Sequence, residues 1–282
     1  MMRRSTFHLP ALTADRPSPA IDDVLRIVTA ADELGYHGAW ITEHHGSDAA
    51  VSNPLLLLAH LAARTERIRL GTSVLPTPLW PTRRLVEDLT TCAQLLGDRL
   101  RIGLGQNATG RAAHADDADD FEAAAASVVA RLPEQGLWEA AVTDDGIDRV
   151  IARGHHLICS PQLGDLARVA RLADRLHGLA SGPRQLAATA FVVVHDDPTS
   201  AIDPSPAFST AEIQHLDRSA APPTTDPERL ASRLLAGPAP AIEAQLRAIA
   251  EAGVDEVLLC SDVSGTPIDA AMRTLTALAP QP

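Results

Sequence analysis

One pattern limits what this chain can fold into. Short apolar runs of strand length recur along it, each followed by a longer amphipathic stretch with apolar positions at helical spacing. The strand-like runs are Thr6 to Leu9, Gly38 to Thr42, Ile68 to Leu75, Arg99 to Leu104, Leu137 to Val142, His156 to Cys159, Leu186 to His195 and Val254 to Ser261. Helix-like stretches fall at Ala20 to Leu34, Pro54 to Thr65, Pro81 to Leu96, Ala118 to Leu132, Gly146 to Ala152, Gln162 to Leu179, Pro240 to Ala252 and Pro267 to Leu278. A strand followed by a helical crossover pairs in parallel with the next strand. Eight such units in 282 residues predict a closed (β/α)8 TIM barrel of the α/β class rather than an open sheet.

Local punctuation supports the boundaries. Gly35 is a left-handed stop for the first helix, Asn53-Pro54 sets a capping residue before a first-position proline, and Pro81 and Pro267 open helices in the same way. The acidic run Asp116 to Asp120 reads as a solvated helix start. Residues 196–227 hold Pro198, Pro204, Pro206, Pro222, Pro223 and Pro227 and read as an irregular excursion after the seventh strand, with a short helix from Thr210 to Arg218. No repeat or composition shift divides the rest, so residues 1–282 are expected to form a single barrel domain.

Composition excludes several classes. At 45% hydrophobic and 21% charged the chain has the material for a folded core. Its net charge of -12 and the absence of clustered cations argue against a nucleic-acid partner. Every one of the 24 positive residues is Arg, which removes Schiff-base and P-loop lysine chemistry. Cys92, Cys159 and Cys260 are widely spaced and read as buried apolar residues in a reducing compartment. With no apolar window of membrane-spanning length and no signal-like stretch behind Met1 to Pro10, a cytoplasmic protein without membrane contact is expected.

In a parallel barrel the chemistry gathers at the carboxyl ends of the strands. The second strand ends in Glu43-His44-His45, the third in Thr72-Ser73-Val74-Leu75-Pro76, the fourth in Gly103-Leu104-Gly105-Gln106-Asn107 and the fifth in Thr143-Asp144-Asp145-Gly146. With Ala31 to Tyr36, Asn53-Pro54, Arg64 to Thr72, Glu87-Asp88 and Arg99 to Gly105, the first three of these tips, as far as Gly105, resemble the bacterial-luciferase-like flavin-dependent monooxygenases and oxidoreductases. Weaker similarity runs through Gly146 to Cys159 and Ile242 to Cys260. The resemblance implies a barrel carrying FMN across its mouth, where reduced flavin meets oxygen and a small organic substrate. It also implies a separate flavin reductase as partner and a homodimer.

Carried over by position, the resemblance makes His44 the catalytic proton-transfer residue. Imidazole suits that role, since its unperturbed pKa of about 6.5 lets it accept and return a proton near neutrality. His45 and Glu43 alternate in direction with His44 and read as a hydrogen-bonded pair holding the strand tip. Thr72 and Ser73 fall where the family has a bulge with a non-proline cis peptide under the flavin ring, here expected near Ser73-Val74.

The phosphate end departs from the family. Its arginine after the fourth strand is replaced by Gln106-Asn107, with Arg111 the next cation, while Thr143 and the amides of Gly146 and Ile147 match a phosphate-holding helix start. Asp144 and Asp145 oppose a phosphate there. Two alternatives follow: a deazaflavin coenzyme in place of FMN, or a degenerate, non-catalytic flavin-fold partner subunit. A metal site using His44, His45, His155 and His156 is discounted, because a five-residue strand sets the two pairs about 16 Å apart. Trp40, Trp80 and Trp138 are the candidates for aromatic stacking or packing.

Overall fold

Parallel backbone pairing closes into a ring. The computed structural model describes residues 1–9, 19–45, 51–106, 115–141, 143–159, 166–179, 182–195, 234–262 and 267–281. Its strands are β1 (Arg3–His8), β2 (Gly38–Ile41), β3 (Arg69–Thr72), β4 (Leu75–Pro76), β5 (Leu100–Gly105), β6 (Leu137–Ala140), β7 (His156–Cys159), β8 (Leu186–Val194), β9 (Leu234–Gly237) and β10 (Glu256–Cys260). Its helices are α1 (Pro19–Glu33), α2 (Pro54–Ala62), α3 (Thr82–Leu96), α4 (Ala115–Arg131), α5 (Asp144–Arg153), α6 (Leu166–His177), α7 (Ala239–Glu251) and α8 (Ile268–Ala277). The ring runs β1-β2-β3-β5-β6-β7-β8-β10, and β10 pairs back onto β1 in parallel. This is the (β/α)8 TIM barrel expected from the alternation.

Two features differ from the expected strands. The run from Ile68 to Leu75 is broken in two: β3 stops at Thr72, the Ser73–Val74 peptide is cis, and β4 resumes pairing with β5 through Leu75 and Pro76. The cis bond lies where it was expected. An additional strand, β9, pairs in parallel with the end of β8, from Phe191 opposite Leu234 to Val194 opposite Gly237. Four residues ending at Gly237 are too few to display an alternation, which is why that strand was not anticipated. The excursion at 196–227 and the helix expected at 210–218 lie outside the described residues.

The glycines of β5 allow the rim to take this shape. A Cβ at residue 103 would sit 2.1 Å from the Thr72 carbonyl oxygen, and one at residue 105 would sit 2.4 Å from Val74 Cγ2. Only residues without side chains let the β3 tip and the bulge lie this close. Thr72 fastens the contact, with its hydroxyl donating to Gly103 O at 2.9 Å and accepting from Gly103 N–H at 3.0 Å.

Long-range hydrogen bonds also clamp the turn that leads into β3. The Asp32 carboxylate, at the end of α1, accepts the backbone N–H groups of Glu66 at 2.7 Å, Arg67 at 3.0 Å and Ile68 at 2.7 Å. Arg99 reaches the same region, donating to Ala62 O, Thr65 O and Thr65 Oγ1. At the start of α2, Asn53 Oδ1 accepts the Leu55 N–H at 3.1 Å, the cap expected from Asn53-Pro54. Gly35, with φ of +81°, turns the chain out of α1.

Two outcomes follow from these contacts. Gly103→Ala is expected to destabilise the protein by about 1 to 3 kcal/mol or more in urea denaturation, because the Thr72 backbone cannot yield without moving the rim. Asp32→Ala is expected to cost about 2 to 5 kcal/mol at neutral pH. Burial pushes the Asp32 pKa up, but the bonds from Glu66, Ile68 and Arg67 outweigh it and hold the carboxyl below its ordinary value near 3.8. Its contribution is therefore full above that value and is lost as pH falls through the lowered one. Denaturation curves at pH 7 and pH 3 should show the parent losing more stability on acidification than Asp32→Asn.

Candidate functional site

Because the ring is parallel, the tips of β2, β3 and β5 share one rim, which brings Glu43-His44-His45, Ser73 and Gln106 to the same end of the barrel. Hydrogen bonds tie neighbouring tips together. Ser73 N–H donates to Ile41 O at 2.8 Å, and Thr42 donates through both N–H and Oγ1 to His8 O at 3.1 Å. His44 is held by its backbone N–H, which donates to Val51 O at 3.0 Å, and its side chain is half-buried.

Glu43 is the electrostatic centre of this tip. Its buried carboxylate accepts from His45 Nε2 at 2.7 Å and from Trp80 Nε1 at 2.9 and 3.1 Å. Burial pushes its pKa up, against the bonds from His45 and Trp80. His45 remains solvent-facing, with 43% of its side chain exposed. Glu43 and His45 are thus a hydrogen-bonded pair, as expected, and Trp80 adds a third partner that fixes the β4–α3 connection against the end of β2. That link joins positions 37 residues apart, a separation no local pattern reports.

Thr72 has a different place from the one expected of a cofactor contact. It is fully buried, and its hydroxyl is committed to the Gly103 backbone, so it shapes the rim from below and offers the mouth no free group. Ser73 and Val74 are half-buried and form the surface above it, and Gln106 is half-buried at the β5 tip. Asn107 and Arg111 lie outside the described residues.

The start of α5 likewise corrects the expectation. Thr143 caps the helix, accepting the Gly146 N–H at 3.2 Å, and the Ile147 N–H donates to Thr143 O at 2.9 Å. Those two amides serve the helix itself, and the Ile147 bond is an ordinary intrahelical one that no ligand can share without unwinding the turn. The amides of Asp144 and Asp145 are the ones helix geometry leaves without intrahelical acceptors. Asp144 pairs with Arg168 of α6 at 2.6 Å, which offsets one of the two acidic charges and brings a guanidinium to this turn. Sequence reasoning missed Arg168, which stands 24 residues from its partner.

His155 and His156 open β7 at the opposite end of the barrel. His155 bonds to Glu139, and the His156 ring lies 4.7 Å from that of Trp138. Among the described residues no helix is long and apolar enough to cross a membrane.

Comparison with known proteins follows the same residues. The family described as Luciferase-like monooxygenase matches residues 2–129, a span that includes the β2, β3 and β5 tips. The oxygenase component of a flavin-dependent trigonelline monooxygenase from Acinetobacter baylyi is 32% identical over 88 residues, 31% of this chain and 24% of that protein. Two other curated relatives are matched over 29% and 30% of their length, so the shared sequence spans under a third of each. Solved structures extend the likeness to the whole barrel at the level of fold. The monooxygenase RslO1 from Streptomyces bottropensis superposes with a TM-score of 0.81 at 17% identity, covering 99% of this chain and 98% of that one. An F420-dependent secondary alcohol dehydrogenase, in complex with an F420-acetone adduct, superposes with a TM-score of 0.73 at 14% identity, covering 98% of this chain and 99% of that one. Residues 2–129 thus match the luciferase-like monooxygenase family, and the likeness of the remaining residues is one of fold.

Proposed function

We propose that the chain is a flavin-dependent oxidoreductase, acting as a monooxygenase on a small organic substrate with oxygen and reduced FMN, the latter supplied by a separate reductase. One observation carries this reading: His44 and the cis Ser73–Val74 bulge stand on adjacent strand tips of one rim, inside the segment that matches the family. The trigonelline relative is itself an oxygenase component, which supports a two-component arrangement. On this reading the whole chain acts as one barrel domain in the cytoplasm, as a homodimer.

The residues present fit a flavin better at one end than at the other. For the ring, the rim offers the Ser73–Val74 surface with His44 on the neighbouring strand, above β5 glycines that keep side chains out of the way. For the phosphate, it offers the Asp144 and Asp145 amides, Gln106 and the Arg168 guanidinium, with two carboxylates opposing. FMN would supply the redox chemistry once bound. The chain's own part is then to seat the ring on Ser73 and Val74, to hold His44 at the mouth as a proton acceptor and donor, and to fix the β2 tip through Glu43, His45 and Trp80.

A deazaflavin coenzyme is the second reading. It is favoured by the fold shared with the F420-dependent dehydrogenase and by the weak phosphate end, since a longer tail need not place its phosphate at α5. Absorbance spectra of the purified protein titrated with FMN and with deazaflavin separate the two, and binding of neither would favour a non-catalytic partner subunit.

His44→Ala is expected to leave the fold and flavin affinity nearly unchanged while turnover falls by about 10² to 10⁴. An unchanged rate on a confirmed substrate would assign His44 to packing. Gln106→Arg is expected to tighten FMN by roughly tenfold to a hundredfold in fluorescence-quenching titrations, the value of one charge-assisted contact. An unaltered affinity would show that the phosphate lies elsewhere.

A further inference from the structure

The opposite mouth of the barrel has a charge pattern that the proposed activity does not use. Strand alternation sends Arg3, Ser5 and Phe7 of β1 into the lumen, with Arg69 and Gly71 of β3, Arg101 of β5 and Glu256 of β10. Contacts confirm the facing. A Cβ on Gly71 would meet the Trp40 ring at 2.8 Å and Arg101 Cβ at 2.9 Å, and one on Gly38 would meet Ser5 Oγ at 3.0 Å and Glu256 Oε1 at 3.6 Å. The N-terminal ends of β1, β3 and β5 therefore set three guanidinium groups on one arc of the floor. Across from Arg69 on β2 stands Gly38, where Ser5 Oγ and Glu256 Oε1 take the place of a side chain.

Among the described residues a single lumen carboxylate faces these cations, and its bonds are already committed. Glu256 Oε1 accepts from Ser5 Oγ at 2.5 Å and from Trp40 Nε1 at 2.9 Å, while Oε2 stands 3.9 Å from both Arg3 Nε and His37 Nε2. Arg101 Nη1 spends its bonds on the carbonyls of Asp98 and Leu100, and Arg69 Nη1 contacts His37 Nδ1 at 3.2 Å. Arg69 Nε is buried and makes no hydrogen bond. The neighbouring imidazoles register the resulting field. Burial, then Arg69, Arg3 and Arg101, lower the His37 pKa to about 3, and burial, then Arg184, His155, Arg101 and Arg3, lower that of His156 to about 4. Both rings are neutral near pH 7. Other charged groups at this end are engaged elsewhere: Asp255 bonds to His177, Glu139 to Arg153 and His155, and the Asp98 side chain acts on Arg101 only through its field. Three cations thus face one carboxylate in a floor that Arg3, with 30% of its side chain exposed, keeps open to solvent.

We propose that this N-terminal mouth is a second binding site, one that takes a small tetrahedral oxyanion of the phosphate or sulfate class between Arg3, Arg69 and Arg101. An oxyanion there would complete the fork donors of Arg69 and Arg101, balance the excess positive charge and supply Arg69 Nε with an acceptor. The site is separate from the flavin rim and does not rest on the proposed activity. Its chemistry suits free inorganic phosphate and the terminal phosphate of a metabolite alike.

The test uses the intact protein at low ionic strength in a buffer free of phosphate and sulfate, with inorganic phosphate as the probe. Thermal unfolding should shift upward in a saturable way, by roughly 5 °C or more at about 100 times the dissociation constant. Arg69→Gln should abolish that response. It should also match or exceed the parent's melting temperature without phosphate, because it relieves repulsion among like charges. Arg101→Gln provides the same reading if Arg69→Gln fails to fold. Titration of the His37 ring by NMR locates the anion: its pKa should rise when phosphate is bound to the parent and stay fixed in the variant. A phosphate response retained in both variants, or no saturable response in the parent, overturns the proposal. If a phosphomonoester competes with inorganic phosphate, the pocket admits the terminal phosphate of a metabolite. Exclusion of the ester restricts the same site to the free ion.

Discussion

The rim depends on how closely two backbones approach. The Thr72 carbonyl occupies space that any side chain at residue 103 would need, and Val74 does the same at residue 105. Because β5 yields this space, β3 can end early, turn through Ser73 and Val74 and hand its pairing on to β4. Ser73 in turn reaches Ile41, which sets the end of β2 and with it Glu43, His44 and His45. The arrangement of the mouth follows from two missing side chains and one buried hydroxyl.

Much of the barrel was legible in the sequence because its signals are local. Strand length, helical spacing, Gly35 and Asn53-Pro54 each act within a few residues, and the stop at Gly35 and the cap at Asn53 stand where they were read. The rim position of Glu43-His44-His45 was legible for the same reason, since it follows from one strand and one parallel ring. Partners chosen across the fold were not. Nothing local shows that the Asp32 carboxylate gathers three amides from residues 66–68. Thr72 illustrates the converse, a hydroxyl at a strand tip that looks available until its burial and its Gly103 bonds are known. Ile147 is similar, because a helix-start amide reads as a donor for ligands only until the register of the first turn is fixed. β9 escaped notice since four residues carry too little pattern to be told from a lead-in to α7.

Long-range bonds in the first half of the chain serve the scaffold as much as the mouth. Asp32, Thr65 and Arg99 all converge on the turn that feeds β3, and none of them stands at the mouth. The same barrel also separates its charges by end. The chain as a whole is acidic, at -12, yet its floor gathers guanidinium groups around one carboxylate. Net charge alone therefore describes neither end of the molecule.

The placement of the three indoles gives the protein a built-in optical partition. Trp40 and Trp138 lie in the lumen, both almost fully buried and packed edge to face with centroids 5.3 Å apart, and Trp40 Nε1 is anchored on Glu256. Trp80 is half-buried at the rim, with its Nε1 donating to Glu43. Two emitters are thus shielded as a coupled pair while one stands beside the mouth. Intrinsic fluorescence is accordingly expected to divide into a collisionally protected component from the barrel interior and a quencher-accessible component from the rim.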